Sequence, residues 1–472
     1  MKNISIIGSG LSGSLLTINL IKNWKGRDKL NINLIERDPQ KFNTGIAYST
    51  EEFTNLLNVR CSNMSIFPDD PDNFYNWLKK FGYTYTKNDF VPRSIFGQYI
   101  KYNFKHTIVN KPNNINFNSI FDEVIDITKT ESNYKLSLQN NEDITSDLVV
   151  LAIGNISPIE LDILKSSNIK NYVKSPWSED FFKKLKLDED ILFIGSGLMF
   201  QDIILSLNER KHKGKFYSIS ENEYQPFVHK LYDTYPSFHE ELKGKDINQI
   251  FHIVRSHVKK HTDPTAVIDS IIPYVPNIWK SLSKTDKLRF IRHLSSLWNS
   301  ICHRTPESTS ITIGQLLESN RLEIIKGEIL KIDQQENKIK VQIFNEKKIK
   351  IEVLNIDLII NCNEPEHNYK KINLPLIKNL IKSGTIQYGK ESITIKTNNY
   401  NIIDENNSKL SNLVAIGPIL KGELYECNSV IEIRKQTAEL SNIIIKYLKK
   451  SEINKKQNKI YKNNYKNNLQ HE

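Results

Sequence analysis

The stretch ISIIGSGLSG, which covers residues 4–13, decides the fold of the amino-terminal part of the chain. Residues 4–7 form a short buried-strand pattern, and the pattern G-x-G-x-x-G follows at once. Gly8 permits a tight strand-to-helix turn, Gly10 lets the backbone approach a pyrophosphate, and Gly13 allows helix and strand to pack closely. The helix then begins with free N–H groups and the positive end of its dipole, both of which favour phosphate.

A second strand, predicted over residues 31–35, ends in Glu36, 28 residues after the first glycine. A carboxylate at this position accepts hydrogen bonds from the ribose hydroxyls of an adenosine. The order of strand, glycine turn, helix, strand and acid predicts a dinucleotide site, to which we also assign Ser9, Ser12 and Arg37. A glycine turn with a purely structural role is the alternative.

A second unit of this kind begins at residues 191–194, which read ILFI, and continues through Gly195 and Gly197 into an apolar helix. Phe200 stands at the position of the third glycine, which implies different packing of helix against strand. We assign Asp202 of this helix to the same site. A plain α/β crossover is the alternative.

The next strand leads to Glu221, 26 residues after Gly195. An acid at this position favours a free ribose 2′-hydroxyl and hence NADH, whereas a cation favours the 2′-phosphate of NADPH. Lys211, Lys213 and Lys215 are close in sequence and offer such charge, so both coenzymes stay open. Two dinucleotide units suit an enzyme in which one holds FAD and the other presents NADH or NADPH across a cleft.

Further blocks of sequence match a known group of flavoenzymes: 45–48 (GIAY), 56–59 (LLNV), 64–71 (MSIFPDDP), 91–93 (VPR), 96–99 (FGQY), 147–155 (DLVVLAIGN), 357–363 (DLIINCN) and 413–418 (LVAIGP). With these blocks the chain resembles the FAD/NAD(P)-binding family of urate hydroxylase-like and aspartate N-hydroxylase-like flavoenzymes. The resemblance implies a flavin site that also includes Asn58, Gly154, Gly417, Pro418 and Glu426. Oxygen chemistry on a flavin needs no protein nucleophile, so no catalytic residue is assigned.

Three cationic residues are predicted to position ligands. Arg93 follows a proline that fixes the backbone, and its guanidinium is placed to reach a flavin phosphate or the substrate, with a surface ion pair as the alternative. The block WNSICHRTP, residues 298–306, resembles a tryptophan to His-Arg block of the family. We predict that Arg304 clamps a carboxylate or phosphate and that His303 hydrogen-bonds the substrate or cofactor, with packing of a helix end as the alternative.

Composition excludes several other classes of protein. The net charge of +11 is concentrated in residues 446–472, where eight lysines against two glutamates give +6, which predicts a solvated tail rather than a nucleic-acid site. Four widely spaced cysteines without a C-x-x-C pair predict neither a zinc site nor disulfides, and favour a reducing cytoplasm. No metal site is expected, and no apolar run is long enough to span a membrane.

We therefore predict an α/β protein with two Rossmann-like domains, the second inserted in the first. The FAD domain comprises residues 1–180 and 346–450, the NAD(P)H domain residues 181–345 with a helical insertion over about 224–310, and a basic, disordered tail residues 451–472. The expected reaction is hydroxylation of a small polar substrate on nitrogen or carbon, with O2 and through a flavin peroxide. An oxygen-independent flavin reductase and a non-catalytic FAD/NAD-binding sensor or scaffold are the alternatives.

Overall fold

The computed structural model describes residues 1–177, 182, 185–222, 224–261, 263–389 and 393–468. In chain order its strands are β1 (Lys2–Ile7), β2 (Leu30–Glu36), β3 (Ile115–Phe121), β4 (Val124–Lys129), β5 (Tyr134–Leu138), β6 (Ile144–Ser146), β7 (Leu148–Leu151), β8 (Tyr172–Val173), β9 (Ile191–Ile194), β10 (Phe216–Ser220), β11 (Leu322–Gln334), β12 (Ile339–Asn345), β13 (Lys350–Ile356), β14 (Leu358–Asn361), β15 (Thr397–Asn398), β16 (Asn401–Ile403) and β17 (Lys409–Ala415). The α-helices are α1 (Leu11–Asn23), α2 (Asn73–Lys80), α3 (Arg93–Val109), α4 (Asp162–Ser166), α5 (Leu198–Glu209), α6 (Ile247–Lys260), α7 (Pro264–Asp269), α8 (Val275–Ser281), α9 (Lys284–His293), α10 (Ser295–Cys302), α11 (Glu307–Glu318), α12 (Pro375–Lys382), α13 (Lys421–Leu424) and α14 (Val430–Asn468).

The first sheet has the strand order β15-β16-β17-β7-β1-β2-β3, with β17, β7, β1, β2 and β3 parallel. Successive residues of β1 point to opposite faces: Ile6 joins the core around α1 and α3, and Ile7 joins the core beneath the antiparallel sheet β4-β5-β6. Because both faces are covered, the central strands are apolar throughout, as is usual for parallel sheets. Helix α14 lies against α1, where Asn19 donates to Thr437 at 3.1 Å.

The second sheet has the order β13-β12-β11-β10-β9-β14-β8, with β11, β10, β9, β14 and β8 parallel and a hairpin β12-β13 at one edge. Its strands lie between Tyr172 and Asn361. The predicted bounds of the second domain, 181 and 345, therefore cut through this sheet, because β8, β13 and β14 pair with it. We propose that the chain crosses between the domains near residues 172 and 361.

Helices α6 to α10 form an apolar cluster of their own, which includes Trp279 and Phe290. The cluster takes in Tyr425 from the carboxyl-terminal part of the first domain, whose ring centroid lies 4.6 Å from that of Trp279 and 5.1 Å from that of Phe290. The helical insertion is thereby joined to the first domain as well as to the second.

The carboxyl-terminal region departs from the expectation of a disordered tail. Helix α14 continues to Asn468, so most of the segment predicted to be disordered from residue 451 is helical. No proline or glycine interrupts this segment, and its lysine and glutamine residues have good helix propensity. Over the described residues, no helix combines the length and the apolar character needed to cross a membrane.

Candidate functional site

The first glycine turn leaves space for a ligand at one position only. Gly8 has φ of +100°, and a Cβ there would lie 2.3 Å from the carbonyl oxygen of Ala152. A Cβ on Gly13 would lie 2.0 Å from the carbonyl oxygen of Gly8, so these two glycines serve the packing of the turn. A Cβ on Gly10 would meet only Gly45, at an ordinary 3.5 Å. Gly10 is thus the glycine whose missing side chain leaves room for a diphosphate.

Glu36 closes this turn from the end of β2. Its Oε2 accepts hydrogen bonds from the Ser9 backbone N–H at 3.0 Å and from the Ser9 hydroxyl at 2.8 Å, and its Oε1 accepts from the Asp38 N–H at 3.2 Å. Oε1 keeps a further lone pair for a ribose hydroxyl. Ser9 is fully buried and supports the turn, whereas Arg37 is exposed and lies 3.6 Å from Glu123.

The second glycine turn repeats the first with one change in packing. Gly195 has φ of +103°, and a Cβ there would lie 2.8 Å from the carbonyl oxygen of Cys362. A Cβ on Gly197, at the start of α5, meets no described atom within 4 Å. Phe200 is fully buried and meets Phe193 edge to face at 5.2 Å, so an aromatic contact replaces the close packing that a third glycine allows. The open position at Gly197 suits a second diphosphate.

The residues predicted to choose between coenzymes lie at opposite ends of β10. Glu221 follows the carboxyl end and is exposed, on the side of the glycine turn. Lys215 precedes the amino end, and Lys211 and Lys213 line a cavity of about 490 Å³ beyond it. A strand of five residues spans roughly 16 Å. The suggestion that these lysines neutralise a 2′-phosphate near Glu221 is therefore wrong.

Arg93 and Asp202, both predicted to bind cofactor, contact each other instead. The Arg93 guanidinium lies 3.4 Å from the Asp202 carboxylate, and the two side chains are only 14% and 12% exposed. Burial raises the pKa of Asp202 to about 6, although Arg93 opposes the shift. The predicted alternative of an ion pair is thus the observed arrangement, but it is buried and joins α3 to α5 rather than lying on the surface.

Arg304 is also fully engaged within the protein. Its guanidinium pairs with both carboxylate oxygens of Asp269, donates to the Tyr232 hydroxyl at 3.0 Å, and donates through Nε to the Ile301 carbonyl at 2.7 Å. A longer bond of 3.5 Å reaches the Thr265 carbonyl. These contacts use all five N–H donors of an arginine. We therefore drop the hypothesis that Arg304 clamps a substrate, because its role is to fasten the helical insertion.

Gly417 joins the end of β17 to the first glycine turn. It has φ of +81°, and a Cβ there would lie 2.5 Å from the Ser12 hydroxyl. Its N–H donates to Oε1 of Gln436 at 3.0 Å, and Nε2 of Gln436 donates to the Cys427 carbonyl at 3.1 Å. The Cys427 thiol in turn lies 3.8 Å from the Pro418 carbonyl. The turn at Ser12 is thereby connected to the loop that carries Glu426.

His303 and Glu426 come together beside this loop. Their nearest side-chain atoms are 3.8 Å apart, and the other carboxylate oxygen of Glu426 accepts from the Trp298 indole N–H at 2.6 Å. Burial lowers the pKa of His303, but the Glu426 carboxylate outweighs it and holds the pKa above its ordinary value. Burial likewise raises the pKa of Glu426, but His303, Trp298 and Lys421 together hold it below its ordinary value. The two side chains form an ion pair of which His303 is 36% exposed.

Hydrogen bonds connect the residues next to the second glycine turn with His303. Cys362, which abuts Gly195, is followed by Glu364, whose Oε1 accepts from the Asn299 amide at 2.5 Å. The carbonyl of Asn299 accepts from the His303 N–H at 2.8 Å. On the side of the first turn, Ile159 donates to the Glu364 carbonyl at 2.8 Å, eight residues after the end of β7. The segments that follow β7 and β14, each of which abuts one of the glycine turns, are therefore hydrogen-bonded to each other, and His303 and Glu426 lie beside this junction.

Asn58 and Gly154 are two further predicted cofactor residues. The Asn58 carbonyl bonds to Nε2 of His229 at 2.9 Å, and the His229 ring lies 4.8 Å from that of Phe90. Burial lowers the pKa of His229 to about 4. Gly154 has φ of +67°, and no described atom lies within 4 Å of a Cβ built on it. Asn58 thus contributes to the contact between domains, and Gly154 leaves open space on the segment after β7.

Some residues of the site escaped prediction from the sequence. Gly45 belongs to one of the family blocks, but that block does not predict that it approaches Gly10, which it does with φ of +59°. Lys421 and Glu364 face His303 from segments that are distant in the chain, and no local pattern encodes these contacts. Within the described ranges, no group of three or more His, Cys, Asp and Glu side chains is arranged to hold a metal ion.

Comparisons with known proteins agree with this geometry. Residues 5–156 match the family described as FAD-NAD(P)-binding. No curated protein matches the chain in sequence.

Solved structures match almost the whole chain. The ornithine hydroxylase of Pseudomonas aeruginosa has a TM-score of 0.65 at 12% identity, with 95% of this chain and 100% of that chain covered. The ornithine N-hydroxylase of Kutzneria sp. 744, in a structure with reduced FAD, NADP+ and L-ornithine, has a TM-score of 0.63 at 10% identity and covers 95% and 100%. The cadaverine monooxygenase of Erwinia amylovora, bound to FAD, has a TM-score of 0.61 at 13% identity and covers 93% and 94%. The predicted fold, that of a flavoprotein with two dinucleotide-binding domains, is confirmed.

Proposed function

We propose that the chain is an FAD-dependent, NAD(P)H-consuming monooxygenase that hydroxylates a nitrogen atom of a small amine. The observation that carries the proposal is the pair of glycine turns with open positions at Gly10 and Gly197, whose adjoining segments are hydrogen-bonded to each other through Ile159 and Glu364. A protein that only binds a nucleotide has no need of two such turns side by side. The likeness to an ornithine N-hydroxylase favours nitrogen over carbon as the atom attacked.

The residues of the first turn suit FAD. Gly10 leaves room for the diphosphate, α1 begins there with free N–H groups, and Glu36 is placed for the ribose. From the resemblance to the flavoenzyme family, we expect Gly417 and the amino-terminal end of α14 to lie near the flavin ring. When bound and reduced, the flavin supplies activated oxygen, while the protein orients the substrate and excludes water.

The residues of the second turn suit a nicotinamide coenzyme. Gly197 leaves space at the start of α5, and Glu221 follows the next strand, where a ribose hydroxyl is expected. A small-molecule amine and O2 complete the set of partners. The four cysteines all lie among the described residues and are free thiols, and we propose the cytoplasm as the place of action.

The test is to purify the protein with added FAD and to follow NADH and NADPH oxidation, O2 uptake and products by mass spectrometry. The substrate panel is L-ornithine, cadaverine, L-aspartate and urate. The first three test hydroxylation on nitrogen, and urate, chosen from the urate hydroxylase-like resemblance, tests hydroxylation on carbon. With an amine substrate, we expect O2-dependent oxidation of the coenzyme and a product that is heavier than the substrate by one oxygen atom. Coenzyme oxidation that passes electrons to a quinone without O2 would establish the flavin reductase instead.

A matched pair of variants separates coenzyme binding from general damage. Gly197→Asp places a carboxylate at the proposed diphosphate position, so we expect a loss of coenzyme oxidation while FAD is retained. Gly314→Asp introduces the same side chain at a helical glycine with equally open surroundings and no contact with either turn. Equal activity in the two variants would contradict the assignment of the second turn.

A further inference from the structure

The positive charge of the chain is concentrated in two segments. Residues 247–302, which comprise helices α6 to α10, hold eight lysine and arginine residues against three aspartates, a net charge of +5. Residues 446–472 carry +6, so the two segments account for the whole net charge of +11 and the remainder of the chain is neutral. The helical insertion is therefore as distinct in charge as the carboxyl-terminal segment.

Six of the cations in the insertion lie on the outer sides of α6 and α9. The apolar residues of both helices, among them Ile250 and Phe290, pack into one cluster, and the two helices contact each other, so their outer sides form one continuous surface. All six side chains are exposed, and none forms an ion pair with any residue that the structure describes. The six residues, which we call the basic face, are Arg255, Lys259 and Lys260 of α6 and Lys284, Arg289 and Arg292 of α9.

The acidic residues of the insertion are engaged elsewhere. Asp246 and Asp263 cap the amino ends of α6 and α7, and Asp286 accepts a hydrogen bond at 2.6 Å from the hydroxyl of the serine that caps α9. Asp269 pairs with Arg304. The other ion pairs beside α6 are Glu240 with Lys243 and Glu241 with His257. The charge of the basic face is therefore not neutralised within the described part of the chain.

The stability of the helices explains only half of the basic face. Cations in the last turn of a helix stabilise the negative end of its dipole, and three of the six residues occupy last turns. Arg255 and Arg289, by contrast, lie in the middle of their helices. Lys284 lies in the first turn of α9, where the dipole disfavours a cation. The fold does not require these three charges, which points to a partner outside the chain.

Two apolar side chains accompany the cations. Phe251 of α6 is 36% exposed, and Leu288 of α9 is 40% exposed. Leu288 lies one turn after Lys284 and one turn before Arg292, so it shares their side of the helix. Exposed phenylalanine and leucine among cations, on the outside of amphipathic helices, are typical of helices that lie on an anionic lipid bilayer. Because the charge is divided between two segments, an extended anionic surface matches it better than a single acidic pocket.

We propose that the basic face docks the protein on the surface of an anionic lipid bilayer. The cations attract phospholipid headgroups, and Phe251 and Leu288 enter the boundary between headgroups and acyl chains. The contact is peripheral and reversible, because it requires only side chains and no helix that crosses the bilayer. It goes beyond the proposed hydroxylation, since none of the residues assigned to FAD or to the coenzyme belongs to the basic face.

The experiment measures cosedimentation of the full-length, FAD-loaded protein with lipid vesicles. One set consists of phosphatidylcholine, and the other contains equal amounts of phosphatidylcholine and phosphatidylglycerol. We expect binding to the mixed vesicles only, and release at high salt, because exposed charges are then screened. Poly-L-glutamate and a short DNA duplex are tested for binding in parallel, as soluble polyanions without a lipid surface.

A matched pair of charge variants assigns the binding to the basic face. Arg289→Glu with Arg292→Glu should weaken binding to the mixed vesicles at least about thirtyfold, because each basic residue near an anionic bilayer contributes roughly fivefold. Lys101→Glu with Lys105→Glu reverses two exposed charges of α3 and should leave binding nearly unchanged. Both double variants retain residues 446–472, so a difference between them does not arise from that segment.

A second pair and an apolar variant complete the test. If Arg289→Glu with Arg292→Glu does not fold, judged by its thermal midpoint, Arg255→Glu with Lys259→Glu on α6 takes its place and should give the same loss. Phe251→Ser should weaken binding about threefold or more and keep its dependence on salt, because it removes apolar contact but no charge.

The proposal is overturned if the protein binds neither set of vesicles, if it binds both equally, or if the two double variants bind alike. Binding to poly-L-glutamate or to DNA without binding to the mixed vesicles also overturns it, in favour of an acidic protein or a nucleic acid. Coenzyme oxidation and product formation are measured without vesicles. Failure of the proposed function therefore leaves the vesicle result unaffected, and the reverse also holds.

Discussion

The Arg93 guanidinium, at the first residue of α3, lies 3.4 Å from the Asp202 carboxylate on α5, the helix that begins at the second glycine turn. Around this pair the Ser206 hydroxyl of α5 donates to the Asn55 side chain at 3.0 Å, and the Arg93 N–H donates to the Asn55 carbonyl at 2.8 Å. Helix α5, at the proposed coenzyme site, is thus fastened to the segment that precedes α3 and to α3 itself. The pair therefore sets the relative position of the two proposed sites.

Replacement of Arg93 should destabilise the protein in a way that depends on pH. Arg93→Leu leaves Asp202 buried without a partner, and breaking a buried ion pair costs about 3–5 kcal/mol. We expect a lower thermal midpoint at neutral pH, measured by calorimetry, and partial recovery near pH 5, where Asp202 accepts a proton. Adding Asp202→Asn to the same protein should restore stability at neutral pH.

The stability of the parent protein should also depend on the protonation of Asp202, but less strongly than that of Arg93→Leu. Burial raises the pKa of Asp202 to about 6, above the unfolded value of 3.8, so the folded state holds the proton more tightly. Stability from this group is therefore present below about pH 4 and falls as the pH rises to about 6, by at most about 3 kcal/mol. Asp202→Asn should remove this slope. The exposed pair of Lys165 and Asp162 is the control, and its loss should leave the slope unchanged.

Replacing Gly10 by alanine should prevent flavin binding, whereas replacing Gly13 by alanine should disturb the fold of the turn. The Cβ of Gly10→Ala meets only Gly45 at 3.5 Å, so the protein should fold but lose its flavin. The Cβ of Gly13→Ala meets the Gly8 carbonyl oxygen at 2.0 Å, so the turn itself must shift. Visible absorbance of the purified protein measures flavin content, and the thermal midpoint of the FAD-free protein measures the fold. A flavin-free Gly13→Ala with an unaltered midpoint would contradict this distinction.

The two glycine turns were predictable because their information is local. A short apolar strand, a glycine at the tight turn and a helix adjoin in sequence, and both Gly8 and Gly195 adopt the positive φ that the pattern requires. The acid at the end of β2 is equally local. Even the replacement of the third glycine by Phe200 correctly indicated a change in packing, which the contact with Phe193 shows.

The partners of the cationic side chains were not predictable in the same way. Asp202 lies 109 positions after Arg93 in the chain and Asp269 lies 35 positions before Arg304, and no spacing rule links them. The lysines before β10 were misplaced for a simpler reason. They precede the amino end of β10 and Glu221 follows its carboxyl end, so residues that are close in sequence are separated by the length of the strand. The sequence identified which residue types were available, and tertiary packing decided which of them contact each other.

Arg304 should behave as a structural residue in every measurement. Arg304→Lys keeps the charge but loses the fork that pairs with both oxygens of Asp269, so we expect a destabilisation of about 2 kcal/mol or more. The KM for the amine should stay within about twofold of the parent value at a temperature where both proteins are folded. A large rise in KM without a change in thermal midpoint would return Arg304 to the list of substrate contacts.

Glu221→Arg should shift the preference between coenzymes toward NADPH. The exposed acid stands beyond the carboxyl end of β10, where the ribose is expected, and a guanidinium there pairs with a 2′-phosphate. We expect the ratio of kcat/KM for NADPH over NADH to rise at least about tenfold, which corresponds to about 1.4 kcal/mol. Lys213→Glu is the matched control, since it reverses a charge at the opposite end of the strand and should leave the ratio unchanged. A shift in the control but not in Glu221→Arg would mean that the coenzyme adenosine lies at the lysine edge of the sheet, which is incompatible with a diphosphate at Gly197.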